Sequence, residues 1–216
     1  MRRQTLLGKT RGFRSSTIDS DLFAMMSLLR THQNPLGVPA RGSNADICMH
    51  AAGPVRRSQT CGSMITLLEK NHGRPSMHRA LHFFTGTSAP CLSVFKPAAM
   101  TTGENAFHVL NPDGHTIEGS LWRRFEPVHR HALFSADLRN EVRRTAAEAE
   151  REMRAILDRM DQPGNPSDTD TLKAAEAPVR DWTEKWINHA AKRPFSYSLT
   201  PYAWYWKRQN RLDGMA

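Results

Sequence analysis

The sequence predicts an α+β fold in which antiparallel strands are followed by helices. Three observations indicate this class: an amphipathic helix near the start, three or four short strand-like segments in the middle, and two long helical segments in the second half. Segregation of strands from helices along a chain is typical of α+β layer structures. The chain has 216 residues, 39% of them hydrophobic, which is enough for one domain with its own core.

The first predicted element is a helix in "SDLFAMMSLLRTH", which starts at residue 20. Leu22, Met25, Met26 and Leu29 recur at the spacing of a single helix face. The polar residues between them would face solvent. A loop rich in Pro, Gly and Asn follows, which indicates where the helix ends.

Four short segments predict strands. In residues 45–52, "ADICMHAA", Ile47 and Met49 fall on one face, and Cys48 and His50 on the other. Further strands are predicted in "SQTCGSMITLLEK", "HRALHFFTGTS" and "CLSVFKPAAM", with turn-forming stretches between them. The tight connections favour an antiparallel meander over a parallel sheet.

Two long helices are predicted in the second half of the chain. The first covers residues 135–160, with Val142 and Met153 on its apolar stripe. The second runs through "PVRDWTEKWINHAAKR", with Pro178 in its first turn, where proline is tolerated. The aromatic end of the chain, residues 194–215, is predicted to be irregular and to pack back on the sheet.

Composition narrows the classes of function. Thirty Lys and Arg against 21 Asp and Glu give a net charge of +9, which favours an anionic partner such as nucleic acid or a carboxylate substrate. The arginines are scattered, however, and a basic protein without such a partner also fits. Three cysteines without a C-x-x-C pair argue against a disulfide framework and indicate a reducing, cytoplasmic location. No apolar stretch approaches the roughly 18 residues of a membrane span, so no membrane partner is expected.

Two pairs of residues are candidates for chemistry. Cys48 and His50 share a strand face, so His50 could serve as the base of a nucleophilic thiol. A cysteine in the middle of a strand is more commonly a buried structural residue, and we expect that of Cys48. His129 and His131 form an H-x-H pair, but no partner carboxylate stands at a definite spacing. The sequence therefore predicts no metal site and no cofactor.

Several motifs, taken in order, resemble the C-terminal half of a known enzyme family. They are "CMH" (48–50), "SQT" (58–60), "TGTSAPC" (85–91), "SVFKP" (93–97) and "SLWRRFEPVHR" (120–130). The same order occurs in the secernin and dipeptidase A branch of the N-terminal nucleophile (Ntn) cysteine hydrolases. Phe125 departs from the pattern, because that family has a histidine there. The resemblance covers residues 17–160, with a weaker aromatic tail.

The resemblance implies a partial Ntn-hydrolase fold, an αββα sandwich, over residues 17–216, preceded by a basic extension at residues 1–16. Members of the family are roughly twice as long, and their nucleophile is an N-terminal cysteine whose own amine acts as the base. By this resemblance the chain has no catalytic residue of its own. We therefore expect a fragment or subunit of a dipeptidase-like hydrolase that is inactive alone and associates with a missing N-terminal half or with a second copy.

Four residues are expected to line the substrate cleft by the same resemblance: His50, Arg57, Gln59 and Thr60. They would bind the carboxylate of a peptide or orient the scissile amide. Arginine suits this role because its planar fork pairs bidentately with a carboxylate. The alternative is a non-enzymatic basic module for an anionic partner, with nucleic acid the less favoured choice.

A sheet of only three or four strands leaves unpaired edges, which promote association. The segment "LHFFTGTSAPCLSVF", residues 81–95, combines high β propensity with little charge. It is therefore predicted to be the exposed segment through which isolated chains associate.

Overall fold

The computed structural model describes residues 18–34, 37–53, 55–68, 80–99, 119–159 and 168–215. Within these residues a helix is followed by three strands and then by four helices. The elements are α1 (Ile18–Leu29), β1 (Met64–Leu68), β2 (Ala80–Phe84), β3 (Lys96–Ala99), α2 (Leu121–Phe134), α3 (Ala136–Leu157), α4 (Asp168–Ala191) and α5 (Pro201–Leu212). The predicted α+β class is confirmed.

The three strands form one antiparallel sheet in the order β1-β2-β3. In its register Ile65 lies opposite Phe83, and Phe83 lies opposite Pro97. Residues directly opposite each other share a face of the sheet, and Ile65 and Phe83 are both buried there. Pro97 lacks a backbone N–H, and it is accommodated on β3, which pairs only with β2 among the described strands. The predicted antiparallel meander is thus confirmed for three of its strands.

The fourth predicted strand, at residues 45–52, is wrong, because this segment is irregular. Its backbone groups have partners that a strand ladder would not use. The N–H groups of Ile47 and Cys48 both donate to the carbonyl of Thr31, at 3.2 and 3.1 Å. The N–H of Met49 donates to Oγ1 of Thr60 at 2.9 Å. The alternating pattern therefore reflects anchoring to the rest of the fold rather than pairing in a sheet.

Helix α4 begins at Asp168, so the expected start at Pro178 is wrong. Pro178 lies inside the helix, where it removes one backbone hydrogen bond. The helix continues because a buried stripe runs past the proline on both sides. Ala175, Val179 and Trp182 belong to this stripe, and each is at most 6% exposed.

The prediction of an irregular C-terminal region is wrong for its last part, which forms helix α5. Oγ1 of Thr200 accepts a hydrogen bond from the N–H of Ala203 at 3.2 Å, and Pro201 occupies the first turn. A threonine N-cap followed by proline is a typical helix start. Trp206, on the buried face of α5, packs against Ala51 and Leu133.

The prediction that residues 81–95 are exposed is wrong, because residues 87–95 are all buried. Two arginine side chains cover this segment, one from the residue after α1 and one from α3. Nε of Arg30 donates to the carbonyl of Pro90 at 3.0 Å, and Nε of Arg143 donates to the carbonyl of Cys91 at 3.3 Å. The polar backbone of the segment is therefore satisfied inside the fold.

No helix among the described residues is long and apolar enough to cross a bilayer. The basic extension predicted at residues 1–16 lies outside the described residues.

Among the described residues, the core holds three phenylalanines that are wholly inaccessible, Phe83, Phe95 and Phe125. They join the sheet to the face of α2 that lies against α4.

Candidate functional site

Four of the motif segments lie in direct contact. The His50 ring stacks on that of His129, with 5.7 Å between the ring centroids. Nε2 of His50 lies 3.4 Å from Sγ of Cys91. The N–H of Ala89 donates to the carbonyl of Thr60 at 3.0 Å. The structure thus brings "CMH", "SQT", "TGTSAPC" and the end of "SLWRRFEPVHR" together at one place.

Two thiols and two imidazoles form a thiol–imidazole cluster at this place. It consists of His32, Cys48, His50 and Cys91. Each offers one nitrogen or sulfur atom, and these four atoms all lie within 4.8 Å of one another. Nε2 of His32 is 3.2 Å from Nε2 of His50. Three members are buried, and His32 is half-buried at the rim. The cluster is therefore shielded on all but one side.

The backbone that carries Cys91 has an unusual conformation. Cys91 lies in a short 3-10 turn, Pro90–Leu92, which follows Ala89. Ala89 has φ 53° and ψ 76°, a left-handed conformation that residues with a Cβ rarely adopt. Two hydrogen bonds hold it there, from its N–H to Thr60 and from the N–H of Leu92 to its carbonyl at 2.8 Å. Strain of this kind concentrates at functional sites.

The two cysteines of the cluster titrate as a pair. Burial raises the pKa of the Cys91 thiol, but the hydrogen bond with Cys48 and the neighbouring His50 outweigh it and lower that pKa below its usual value of 9.0. The pKa of Cys48 is raised, first by its hydrogen bond with Cys91 and then by burial. Burial also lowers the pKa of His50. A thiolate on this pair is therefore favoured at Cys91.

A second polar group, centred on Glu126, adjoins the thiol–imidazole cluster through His129. The carboxylate of Glu126 accepts a hydrogen bond from Oγ of Ser88 at 2.5 Å and from Nε of Arg130 at 3.0 Å, and it lies 3.3 Å from Nδ1 of His129. Burial raises the pKa of Glu126, but His129, Arg130 and Ser88 together lower it to about 2. Arg130 also reaches Asp213, at 2.5 Å, which ties α2 to the end of α5.

A lysine is buried against the start of the "TGTSAPC" segment. Lys96 is 2% exposed, and its Nζ donates to the carbonyls of Thr85 and Val94 at 2.8 and 3.2 Å. Burial lowers the pKa of Lys96 to about 7, even though the nearby carboxylate of Glu150 opposes that shift. Its charge therefore changes close to neutral pH, unlike that of an exposed lysine.

A cavity of about 340 Å³ opens beside the thiol–imidazole cluster. His32 and Cys91 form part of its wall, together with Arg30 and Arg143. The end of the Arg143 guanidinium lies over Gly37, at 3.2 Å from the position that a Cβ would take there. No described carboxylate forms an ion pair with Arg143. The cavity therefore offers a planar cation to an anionic ligand.

The four residues predicted to bind substrate differ in their placement. His50 is fully buried within the cluster, and Thr60 bonds the backbone of Met49 through both its N–H and its hydroxyl. Arg57 is exposed. Oε1 of Gln59 is buried without a hydrogen-bond partner among the described atoms. The structure places His50 and Thr60 at the site, and the role of all four in substrate binding stays a prediction.

Sequence reasoning missed His32, Cys91 and Arg143. The only local signal was the C-x-H pattern at Cys48 and His50, since the other members come from distant parts of the chain. The H-x-H pair does not act as one unit, because residues two apart on a helix point in different directions. His129 contacts Glu126 as described above, whereas the second histidine of the pair stacks on an aromatic ring elsewhere.

No protein-family model matches this sequence. No curated protein and no solved structure is significantly similar to it either. The family to which the chain belongs is therefore not shown, and the motifs and the geometry of the site are the basis for assigning a function.

Proposed function

We propose that the chain is part of a dipeptidase-like cysteine hydrolase of the Ntn class, in which it supplies a wall of the substrate cleft and not the nucleophile. The observation that carries the proposal is the contact among the four motif segments that resemble this family. These segments are far apart in the sequence, yet they meet around one group of thiols, imidazoles and a carboxylate. The three-stranded sheet would then be one portion of an αββα sandwich.

The cavity beside the cluster suits a small peptide. Ligand sites commonly enclose about 300–1,000 Å³, and the cavity of about 340 Å³ lies at the lower end of that range. Arg143 would pair with the C-terminal carboxylate through its fork. Arg30 is less suited to this role, because its guanidinium already bonds both oxygens of Glu150.

The nucleophile would come from elsewhere in the complete enzyme. Of the two thiols of the cluster, Cys48 is fully buried and its pKa is raised, both of which suppress the thiolate that attacks an amide, and Cys91 is only 6% exposed. His50, the base that this thiol would need, is equally buried, so the pair is not placed for attack on an amide. We therefore expect no turnover of dipeptides by the purified chain, and turnover that disappears in Cys48→Ala or Cys91→Ser would contradict this part of the proposal.

Replacing Arg143 with glutamine is expected to weaken binding of alanyl-alanine roughly tenfold or more, because a charge-assisted hydrogen bond contributes about 1.5–3 kcal/mol. Isothermal titration calorimetry measures the affinity. The amidated dipeptide, which has no carboxylate, should bind the unmodified chain as weakly as alanyl-alanine binds the variant.

The matched control is Arg144→Gln. Arg144 is the next residue of α3, but it is exposed and pairs with Glu148 at 2.6 Å. Its loss should leave the affinity unchanged. Equal weakening by both variants, or equal affinity for the acid and the amide, would show that Arg143 does not bind the carboxylate.

A second candidate function is binding of an anionic, ring-containing partner such as single-stranded nucleic acid. A separate cavity of about 470 Å³ favours it, since three basic residues and two aromatic rings are in its wall. The basic residues are Arg193, Lys207 and Arg211, and the rings are Phe195 and Tyr197. Bases stack on aromatic side chains while cations contact the phosphates.

Binding of a labelled oligothymidine would test this candidate by fluorescence anisotropy at several salt concentrations. Three phosphate contacts predict a slope of about −2 in log affinity against log salt. Arg211→Gln should reduce the size of that slope by about 0.7. Lys173→Gln, an exposed change on α4 about 27 Å along the helix from its last residue, Ala191, should not alter it. An affinity that does not change with salt would exclude nucleic acid as the partner.

A further inference from the structure

We propose that the thiol–imidazole cluster is a zinc site, with His32, Cys48, His50 and Cys91 as its four ligands. This inference goes beyond the proposed hydrolase function, which assigns no role to a metal. It also runs against the expectation, drawn from the sequence, that the chain has no metal site.

The donor set is the one that zinc prefers. Structural zinc sites are four-coordinate and tetrahedral, and two cysteines with two histidines are among their common ligand sets. A tetrahedral set of two sulfurs and two nitrogens also discriminates against magnesium and calcium, which take oxygen ligands. Two thiolates and one Zn²⁺ are together neutral, so a filled site adds no net charge to a buried region that already contains arginines.

The distances fit a tetrahedral ion. Zinc bonds of about 2.0 Å to nitrogen and 2.3 Å to sulfur imply edges of about 3.3 Å between two nitrogens and about 3.5 Å between nitrogen and sulfur. The two Nε2 atoms are 3.2 Å apart, and Nε2 of His50 is 3.4 Å from Sγ of Cys91. Every other pair among the four atoms lies within 4.8 Å. Side-chain shifts of about 1 Å are enough to close the remaining edges around an ion.

Nε2 of His50 has two neighbours but can form a hydrogen bond with only one of them. Nε2 of His50 is within reach of both His32 and Cys91, although a ring nitrogen carries either one proton or one lone pair. Bonding of Nε2 to a metal ion makes the convergence of the two imidazoles and the thiol on one point favourable.

The ligands are held in place before any ion arrives. The carbonyl of Thr31 accepts hydrogen bonds from the backbone of both Ile47 and Cys48, which fixes the end of α1 beside the "CMH" segment. Cys91 is fixed by its 3-10 turn. The half-buried His32 borders the cavity of about 340 Å³, which gives an ion access to the site.

The experiment uses the full chain, purified under reducing conditions, and the metal ion alone. Addition of Co²⁺ should give one equivalent of bound ion, with thiolate-to-cobalt absorption in the near ultraviolet and the intense visible bands of a tetrahedral complex. Zn²⁺ should displace the cobalt. His32→Gln is the informative variant, since His32 lies at the rim and its loss leaves the buried core intact. We expect its zinc affinity to fall by at least 100-fold, measured by competition with a chelating dye.

Cys61→Ser is the matched control, because Cys61 is the exposed cysteine outside the cluster. It should bind zinc as tightly as the unmodified chain does. Circular dichroism of each variant separates loss of the site from loss of the fold, and Cys91→Ser provides a second test of the ligand set. Absence of stoichiometric binding by the folded, reduced chain would overturn the proposal. An equal loss of zinc affinity in Cys61→Ser would also overturn it. The same holds for a Cys48–Cys91 disulfide that forms despite the presence of a reducing agent.

The result is independent of the proposed hydrolase function. Binding of the ion requires no dipeptide, and binding of alanyl-alanine through Arg143 requires no metal. If the chain binds zinc but not the dipeptide, the zinc site is supported and the hydrolase proposal is not. If it binds the dipeptide but not zinc, the reverse holds.

Discussion

Replacement of Glu150 by alanine is expected to lower the free energy of unfolding by about 3 kcal/mol, the cost of breaking a buried ion pair on one side. The Glu150 carboxylate accepts two hydrogen bonds from the Arg30 guanidinium, at 2.9 and 2.6 Å. It also accepts one from the N–H of Phe95 at 2.8 Å. Glu150 is 2% exposed, so alanine would leave a buried N–H and part of a guanidinium without partners.

Urea denaturation followed by circular dichroism measures this change. Glu148→Ala is the matched control on the same helix, because Glu148 pairs with Arg144 at an exposed position. Exposed pairs contribute about 0–1 kcal/mol, so this variant should be nearly as stable as the unmodified chain. Equal midpoints for the two variants would contradict the assignment of Glu150 as a buried support of residues 87–95.

Stability is expected to fall by about 3 kcal/mol between pH 4.5 and pH 2 because of Glu126 alone. Its pKa is about 2 in the folded chain, against 4.5 for an ordinary glutamate. A carboxyl group with a depressed pKa stabilises the fold above the unfolded value, and this contribution disappears as pH falls through the folded value. The stabilising partners are His129, Arg130 and Ser88.

Glu126→Gln removes the titrating group while it keeps the shape of the side chain. Free energies of unfolding from pH 6 to pH 2 should therefore depend less on pH in this variant, by about 3 kcal/mol over the lower part of the range. It should also be less stable at pH 6, because the charges of its neighbours lose their partner. Glu152→Gln, an exposed change on α3, should keep the pH dependence of the unmodified chain. An unchanged pH dependence in Glu126→Gln would contradict the role given to this carboxylate.

Elements with a strong periodic pattern could be predicted from the sequence. The stripe of α3 is an example, since Val142, Ala146 and Met153 are all buried as their spacing indicates. The antiparallel strands were likewise evident from their turns. Residues 45–52 alternate just as regularly, but tertiary hydrogen bonds to Thr31 decide their conformation. The sequence pattern alone does not distinguish pairing in a sheet from anchoring by tertiary hydrogen bonds.

The candidate site was only partly evident from the sequence. The C-x-H pattern drew attention to Cys48 and His50, and the structure places both in the cluster. His32 and Cys91 carry no local signal, because only the fold brings them there. Arg143 is one of many scattered arginines, and its distinction is the lack of a described carboxylate partner beside a cavity. Such features depend on three-dimensional neighbours and not on spacing.

The contact between Arg30 and Glu150 also bears on the order of folding, because it joins residues 120 positions apart. Closing so large a loop costs chain entropy before the contact stabilises the chain. Helices α3 and α4, by contrast, are neighbours in sequence and can pair early. We therefore expect the segment that carries Cys91 to be enclosed late, after the helices have formed. Interactions that form after the transition state act mainly on the rate of unfolding. The ion pair between Arg30 and Glu150 is thus expected to slow unfolding of the chain more than it speeds folding.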